Sequence, residues 1–148
     1  MRRLAFPALL ALVLACGTTN TAQRPTNVAP PDIDAELAAE PFFGSGSTAP
    51  ATIDVRVRNT AAVPITVRRI EVMSPGMNQW GLVRQARVYG EIVQPGETKA
   101  ITFPGTAYTS TTQRIEPLSF EVVVDFEAGP ESARWQQRLR VLSNRPPM

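Results

Sequence analysis

The sequence predicts an all-β fold: a single antiparallel β-sandwich of about seven strands over residues 51–148. Apolar and polar residues alternate there with a period of two, and no run has a good helical period. Turn-forming residues separate the runs at intervals typical of a sandwich. A region of about 98 residues is also long enough to bury a stabilising core without disulfides.

The alternating runs define the predicted strands in chain order. They cover residues 53–58, 65–72, 82–89, 91–94, 98–103, 118–127 and 135–141. The second run changes phase at Arg68-Arg69, where one extra residue predicts a β-bulge. Gly129-Pro130 predicts a hairpin between the last two runs, whose charged faces can then pair across the strands. These faces carry Glu121, Asp125 and Glu127 on one run and Arg134, Arg138 and Arg140 on the other.

Proline and glycine separate the predicted strands. Gln94-Pro95-Gly96-Glu97 fits a type II turn, because glycine tolerates the positive φ of the third position. Residues 104–114 begin with Pro104-Gly105 and are rich in threonine, so they are expected to form a loop. Residues 74–81 form a second predicted loop between breakers.

The first fifteen residues have the pattern of a signal peptide. Met1-Arg2-Arg3 is a short positive segment, and the uncharged apolar run from Leu4 to Ala15 follows it. Twelve apolar residues are too few for a transmembrane helix but suit the hydrophobic region of a signal peptide. We therefore expect residues 1–15 to be removed on export, while Arg2-Arg3 leave twin-arginine export as an alternative route.

The end of this run, Val13-Leu14-Ala15-Cys16-Gly17, resembles the lipobox of bacterial lipoproteins. The resemblance implies cleavage before Cys16 and attachment of a diacylglycerol and an amide-linked acyl chain, such as palmitate, to Cys16. Two or more acyl chains make release from a membrane negligible. It also implies a cell-envelope protein, and Gly17 favours the outer membrane, facing the periplasm or the cell surface. The alternative is an ordinary signal peptide followed by an incidental cysteine.

Residues 16–50 are expected to form the lipidated cysteine and a flexible tether. Their threonine, alanine, proline, glycine and serine content is too polar and small to bury much apolar surface. Asp32 is placed to cap a short helix within this segment. Two expectations stay open for Phe42 and Phe43: one or both dock on the domain as a strand or clip, or they remain exposed to contact a partner.

Residues 51–142 resemble extracytoplasmic immunoglobulin-like sandwiches, including bacterial cell-adhesion-related and LEA-type modules. The resemblance rests on Val55-x-Val57-x-Asn59, on Ile65-x-Val67 leading to Ile70-x-Val72, and on Val93-x-Pro95-Gly96-Glu97-Thr98 leading to Ile101-x-Phe103. It implies a fold and carries no functional residues, because function is not given by a fold alone.

Composition excludes several classes of chemistry. The chain has no histidine and one cysteine, so it can build neither a His-dependent triad nor a cysteine-rich metal site. Loss of Arg2 and Arg3 with the signal peptide leaves thirteen basic and thirteen acidic residues. A neutral chain without aromatic and basic interleaving does not predict nucleic-acid binding. No catalytic residue, cofactor or metal site is predicted.

Two predicted loops carry the candidate partner-binding residues. Met77 and Trp80 lie in the first and Tyr108 in the second, where rigid scaffolds often present recognition residues. Core or edge packing is the alternative for both aromatic residues. The sequence thus favours a non-enzymatic binding or assembly module for an envelope protein or polysaccharide. A carboxylate-dependent envelope enzyme and a purely structural accessory subunit remain alternatives.

Overall fold

A computed structural model describes residues 24–76, 79–110, 117–129 and 133–143. These ranges contain eight β-strands, in agreement with the predicted all-β class. The strands are β1 (Asp32–Leu37), β2 (Thr48–Arg58), β3 (Ile65–Met73), β4 (Trp80–Leu82), β5 (Gln85–Val93), β6 (Thr98–Thr109), β7 (Ser119–Ala128) and β8 (Ala133–Leu142).

The strands form two four-stranded antiparallel sheets. The first sheet has the order β1-β2-β6-β4 and the second the order β5-β3-β7-β8. The chain crosses between the sheets at each of the five connections from β2 to β7, whereas β1–β2 and β7–β8 each stay within one sheet of this immunoglobulin-like sandwich. The fold prediction is confirmed, with one strand more than the expected seven.

The core lies between the sheets and is built from the alternate side chains of each strand that point inward. In β2 every second residue is buried, with Ile53, Val55 and Val57 fully covered. Phe103, the partner of Ile53 on the neighbouring strand β6, lies beside them in the same sheet. The second sheet adds Phe126, whose ring stacks on Trp135 with centroids 5.5 Å apart. This two-residue period is what the sequence showed, since a strand places alternate side chains on opposite faces.

The predicted bulge and turn are both present. The registers of β3 with β5 and with β7 shift between Val67 and Arg69, at the predicted position. The shift lets β3 keep Val67 and Ile70 in the core although they are three residues apart. At the predicted turn, Gly96 has φ 77°, and the Glu97 N–H donates to the Gln94 carbonyl at 3.0 Å.

The folded region begins earlier than residue 51, so the tether prediction for residues 16–50 needs correction. Strand β1 pairs with β2 from Asp32↔Arg58 to Leu37↔Ile53, and β2 itself begins at Thr48. The short helix expected after Asp32 is wrong, because Ile33, Ala35 and Leu37 alternate with acids at the period of a strand. The part of the tether before residue 24, including Cys16, lies outside the described residues.

The predicted loop at residues 104–114 is in part a strand, because β6 continues through Pro104 and Gly105 to Thr109. The Pro104 carbonyl accepts from Arg87 Nε at 3.1 Å, on the side of β6 that faces away from β2. The missing N–H of Pro104 therefore faces an edge and costs no ladder bond. Gly105 leaves room for Ile53, whose Cδ1 would lie 3.2 Å from an added Cβ. Similarly, the two runs predicted at 82–89 and 91–94 form one strand, β5.

Candidate functional site

Different connections between strands lie at the two ends of the sandwich. At the end that we call proximal, the described chain enters through residues 24–31, and the turns after β2, β5 and β7 lie there. At the opposite, distal end lie the connections that follow β1, β3 and β6, and also Ser143, the last described residue. The eleven residues of β2 separate the ends by about 36 Å, at about 3.3 Å per residue.

Hydrogen bonds join the distal connections to one another. Ser74 Oγ donates to the Ser119 carbonyl at 2.8 Å and accepts from the Leu82 N–H at 2.9 Å. The Gln79 carbonyl accepts from Ser110 N–H at 2.7 Å and from Ser110 Oγ at 3.0 Å. These hydrogen bonds link the two sheets at the distal end. They restrict the backbone of the connections that carry its side chains.

The structure describes two of the three predicted partner-binding residues, Trp80 and Tyr108, and places them on the neighbouring strands β4 and β6. Trp80 lies on β4 and is only 5% exposed, so it packs in the core, which was the alternative expectation, and does not present a contact surface. Tyr108 is half-buried on β6, directly opposite Gly81. Its hydroxyl would lie 2.8 Å from a Cβ added to Gly81, so the tyrosine covers the glycine. Met77 lies outside the described residues.

The distal end instead presents Phe42, which the sequence left open. Phe43 is 8% exposed and docks on the core, whereas Phe42 is 88% exposed. The neighbouring Pro41 is also buried, so Phe42 projects from a connection that is anchored on both sides. Gly44 follows with φ 53°, a conformation that few side chains adopt, and the Gly46 N–H donates to the Phe43 carbonyl at 2.9 Å. The only sequence signal for this residue was the pair of consecutive phenylalanines, which does not indicate which of the two is exposed.

The proximal end is organised around a buried asparagine. Asn59 Nδ2 donates to the carbonyls of Val63 and Val93 at 2.8 and 2.9 Å, and its Oδ1 accepts from the Ala61 N–H at 2.9 Å. A cavity of about 230 Å³ lies at this end. No titratable side chain is found among its described lining residues, which are Pro25, Asn27, Val28, Val63, Ala128, Gly129 and Ala133.

The outer face of the second sheet carries ion pairs across its strands. Glu127 contacts Arg134 at 3.0 Å and Glu121 contacts Arg138 at 2.9 Å, as predicted for the β7–β8 hairpin. Glu71 is 5% exposed and accepts from both Arg69 and Arg84. Burial alone would raise the pKa of Glu71, but the hydrogen bonds and charges of the two arginines outweigh it and lower the pKa.

The described residues show no group of three or more His, Cys, Asp or Glu side chains that could hold a metal ion. Over the same ranges, no helix is long and apolar enough to cross a membrane. The acidic side chains described on the second sheet form ion pairs with arginine or lysine side chains. The cavity at the proximal end carries no acid–base pair among its described lining.

Comparisons with known proteins support no assignment of function. No family model matches the chain, and no curated protein matches it. Among solved structures, a Northeast Structural Genomics Consortium target, SoR45, is 8% identical with a TM-score of 0.46, covering 82% of this chain and 91% of its own. The putative ApaA protein from Bordetella pertussis is 16% identical with a TM-score of 0.45 and coverages of 80% and 98%. A FixG-related protein from Vibrio parahaemolyticus is 13% identical with a TM-score of 0.34 and coverages of 79% and 99%.

Proposed function

We propose that this chain is a lipid-anchored, non-enzymatic binding module of the bacterial cell envelope, attached through Cys16 and presenting Phe42 to an envelope protein or polysaccharide. The observation that carries the proposal is the position of Phe42 on the sandwich. It is 88% exposed on a connection fixed by buried neighbours, at the end opposite the entry of the chain. An anchor before residue 24 and a contact at Phe42 would then act at opposite ends.

The physical argument for a binding role is the cost of leaving such a side chain in water. Full burial of a phenylalanine is favourable by about 1.5–3 kcal/mol, and aromatic residues at the centre of an interface often dominate its affinity. Because the backbone of the distal end is already held by hydrogen bonds, less conformational entropy is lost when a partner binds. A hydrophobic pocket in a protein, or the apolar face of a sugar ring, has the chemistry to receive this ring.

The contact is tested by photo-cross-linking in whole cells. A photoreactive phenylalanine analogue at position 42 is expected to give a cross-linked product, whereas the same analogue at Val63, at the proximal end, is not. Phe42→Ser should leave the melting temperature unchanged and weaken partner binding about 30-fold, equivalent to about 2 kcal/mol. Equal cross-linking at both positions, or none at Phe42, contradicts the proposal.

The anchor is tested separately by intact-mass analysis of the membrane-extracted protein beside a Cys16→Ser variant. The expected mass is that of a chain starting at Cys16 plus its acyl chains. The Cys16→Ser variant should lose the acyl mass and leave the membrane fraction. An unacylated chain in the soluble fraction would contradict the anchor while leaving the contact at Phe42 to its own experiment.

A further inference from the structure

The four edge strands of the sandwich differ in how they are protected from pairing with another strand. On its outer face β1 carries Asp32, Asp34 and Glu36, and β8 carries Arg134, Arg138 and Arg140. Strand β4 has only three residues. Charge on the outer face and short length are two of the devices by which natural sheets prevent association at their edges, and inward-pointing charge is a third. Strand β5, with nine residues, has neither of the first two, and its charged side chains, Arg87 and Glu91, lie on its inner face.

Strand β5 exposes an apolar row and turns charged residues inward, although its inner row also holds Val93, which is fully buried, and Tyr89, which packs against the core. Its outer row is Ala86, Val88, Gly90 and Ile92, and all four are exposed, Val88 by 83%. Its inner row contains Gln85, Arg87 and Glu91, whose polar groups close the side of the sandwich against β6. Gln85 Nε2 donates to Thr106 Oγ1 at 3.1 Å, Arg87 Nε donates to the Pro104 carbonyl at 3.1 Å, and Glu91 pairs with Lys99 at 2.6 Å.

The free edge of β5 has its backbone groups directed outward. Lys99 Nζ, on β6 of the other sheet, donates to the Ile92 carbonyl at 3.3 Å. Because this donor lies outside the β3–β5 ladder, we take the backbone groups of Ile92 to face the free edge. Because these groups alternate in direction along a strand, those of Val88 and Gly90 face the edge as well. Among the described residues, Lys99 at one end of β5 is the only side chain shown to meet a backbone group of this row.

We propose that β5 pairs with β5 of a second copy of this chain, antiparallel about a two-fold axis at Tyr89. The two second sheets would then join into one continuous eight-stranded sheet. Such an isologous arrangement requires a self-complementary strand. When residue i of one copy faces residue j of the other, residue j of the first copy also faces residue i of the second. The sequence of β5 meets this requirement on both of its faces.

On the inner face, the axis at Tyr89 places Arg87 opposite Glu91 of the second copy, and the symmetry repeats this pair of opposite charges. On the outer face, Val88 lies opposite Gly90 of the second copy, and Ala86 lies opposite Ile92. Each pair joins a small residue with a larger one, so the apolar row closes without a clash. Cross-strand pairs of both kinds stabilise antiparallel sheets. This charge complementarity is the reason for choosing a second copy as the occupant.

A charge exchange tests the pairing in the full chain. Two full-length copies with different tags are produced together, and co-purification from detergent extract is measured. Arg87→Glu paired with itself, or Glu91→Arg with itself, sets like charges opposite each other twice and should reduce co-purification at least about tenfold. Arg87→Glu produced with Glu91→Arg restores both opposite-charge pairs and should recover the wild-type amount. Each variant alone should keep the cooperative melting transition of the wild type, and folded variants that show no recovery when produced together would overturn the proposal.

Cysteine pairs test the register. In this arrangement the Cα atoms of Val88 and of Gly90 in the second copy lie about 5.5 Å apart, within the range of a disulfide. A Cβ added at Gly90 meets no atom within 4 Å, and Val88 is exposed, so both substitutions are compatible with the fold.

Full-length Val88→Cys produced together with full-length Gly90→Cys should give a disulfide-linked dimer on a non-reducing gel. Either variant alone should not, because its cysteine faces a different residue. Absence of the mixed dimer, or equal dimer from a single variant, would overturn the register at Tyr89. Absence of wild-type co-purification would overturn self-association itself and leave the apolar row to a different partner.

Discussion

At the scale of the single residue, Asn59 is the polar group that the proximal end depends on most. It is fully buried, and its side chain satisfies two carbonyls and one N–H from the turns that follow β2 and β5. The backbone of Asn59 adds bonds to Gly96 and Glu97, both at 2.9 Å. One residue thereby joins the two sheets where β2 leaves one of them and β5 ends in the other.

We expect Asn59→Ala to lower the free energy of unfolding by about 3 kcal/mol, because it leaves buried carbonyl and N–H groups without partners. Asn59→Asp retains the acceptor for Ala61 but loses the donor to Val63 and Val93, so it should be destabilised as well. Urea denaturation followed by circular dichroism measures both. Thr60→Ala, which removes one exposed hydrogen bond to the Pro30 carbonyl, is the control. A loss for Asn59→Ala no larger than that of the control would contradict this role.

Glu71 makes a second single-residue contribution, which depends on pH. Its folded-state pKa lies below the ordinary value of 4.5, so the stabilisation is complete above that pH and is lost as the pH falls through the lowered pKa. Glu71→Gln should lower the free energy of unfolding at pH 7 by about 2 kcal/mol, since it weakens hydrogen bonds to two charged groups. It should also flatten the loss of stability below about pH 4.5.

Melting curves of the wild type and Glu71→Gln between pH 3 and pH 7 measure this dependence. The control is Glu36→Gln, because Glu36 pairs with Arg56 at a position where both side chains are about half exposed. Exposed pairs contribute little, so this variant should follow the wild type over the whole range. Parallel curves for the wild type and Glu71→Gln would show that the buried carboxylate has no special part in acid unfolding.

At the scale of the element, the position of β4 requires a glycine at residue 81, because its neighbours leave no room for a side chain. An added Cβ at Gly81 would lie 2.8 Å from Ser74 Cβ and from the Tyr108 hydroxyl. We expect Gly81→Ala to destabilise the protein by about 1–3 kcal/mol, because Ser74 cannot move without disturbing its hydrogen bonds to Ser119 and Leu82. Gly90→Ala is the matched control, since nothing lies within 4 Å of its added Cβ, and it should be nearly neutral. Thermal unfolding at low protein concentration compares the two, and equal effects would contradict the packing argument.

The elements also show what a local pattern can and cannot predict. The bulge at Arg68-Arg69 and the turn at Gly96 were predicted because their signals are local: a phase change of two apolar rows, and a residue that tolerates positive φ. Strand β6 was predicted too short, because Pro104 is compatible with a strand only when its nitrogen faces an edge. That condition is met because β4 pairs with β6 only at residues 107–109, which no window of sequence reveals.

The candidate site was predictable to a smaller degree. Trp80 and Tyr108 were chosen because loops present aromatic residues, but β4 and β6 extend through both positions and cover Trp80. Phe42 and Phe43 were recognised as a pair, yet which of the two faces water depends on how their connection crosses the sandwich. The burial of a side chain depends on the whole fold, so two identical residues next to each other in the sequence can lie in different environments.

At the scale of the whole molecule, the first sheet requires residues before position 51. A chain beginning at Ala51 lacks β1 and the first three residues of β2, and it uncovers the side of β2 that pairs with Ile33 and Ala35. We expect this chain to show no cooperative thermal unfolding, whereas a chain beginning at Arg24 should retain the wild-type transition. Circular dichroism on heating distinguishes the two. A cooperative transition for the shorter chain would mean that β1 is an accessory to the sandwich.

The separation of the two ends also decides how the molecule can be labelled. A fluorescent protein joined after Ser143 would lie at the same end of the sandwich as Phe42, because β8 ends where the β1–β2 connection lies. The same fusion inserted ahead of Arg24 would sit about the length of β2 away from that ring. A carboxy-terminal reporter can therefore mask the surface whose partner it is meant to reveal, and an insertion at the opposite end leaves that surface open.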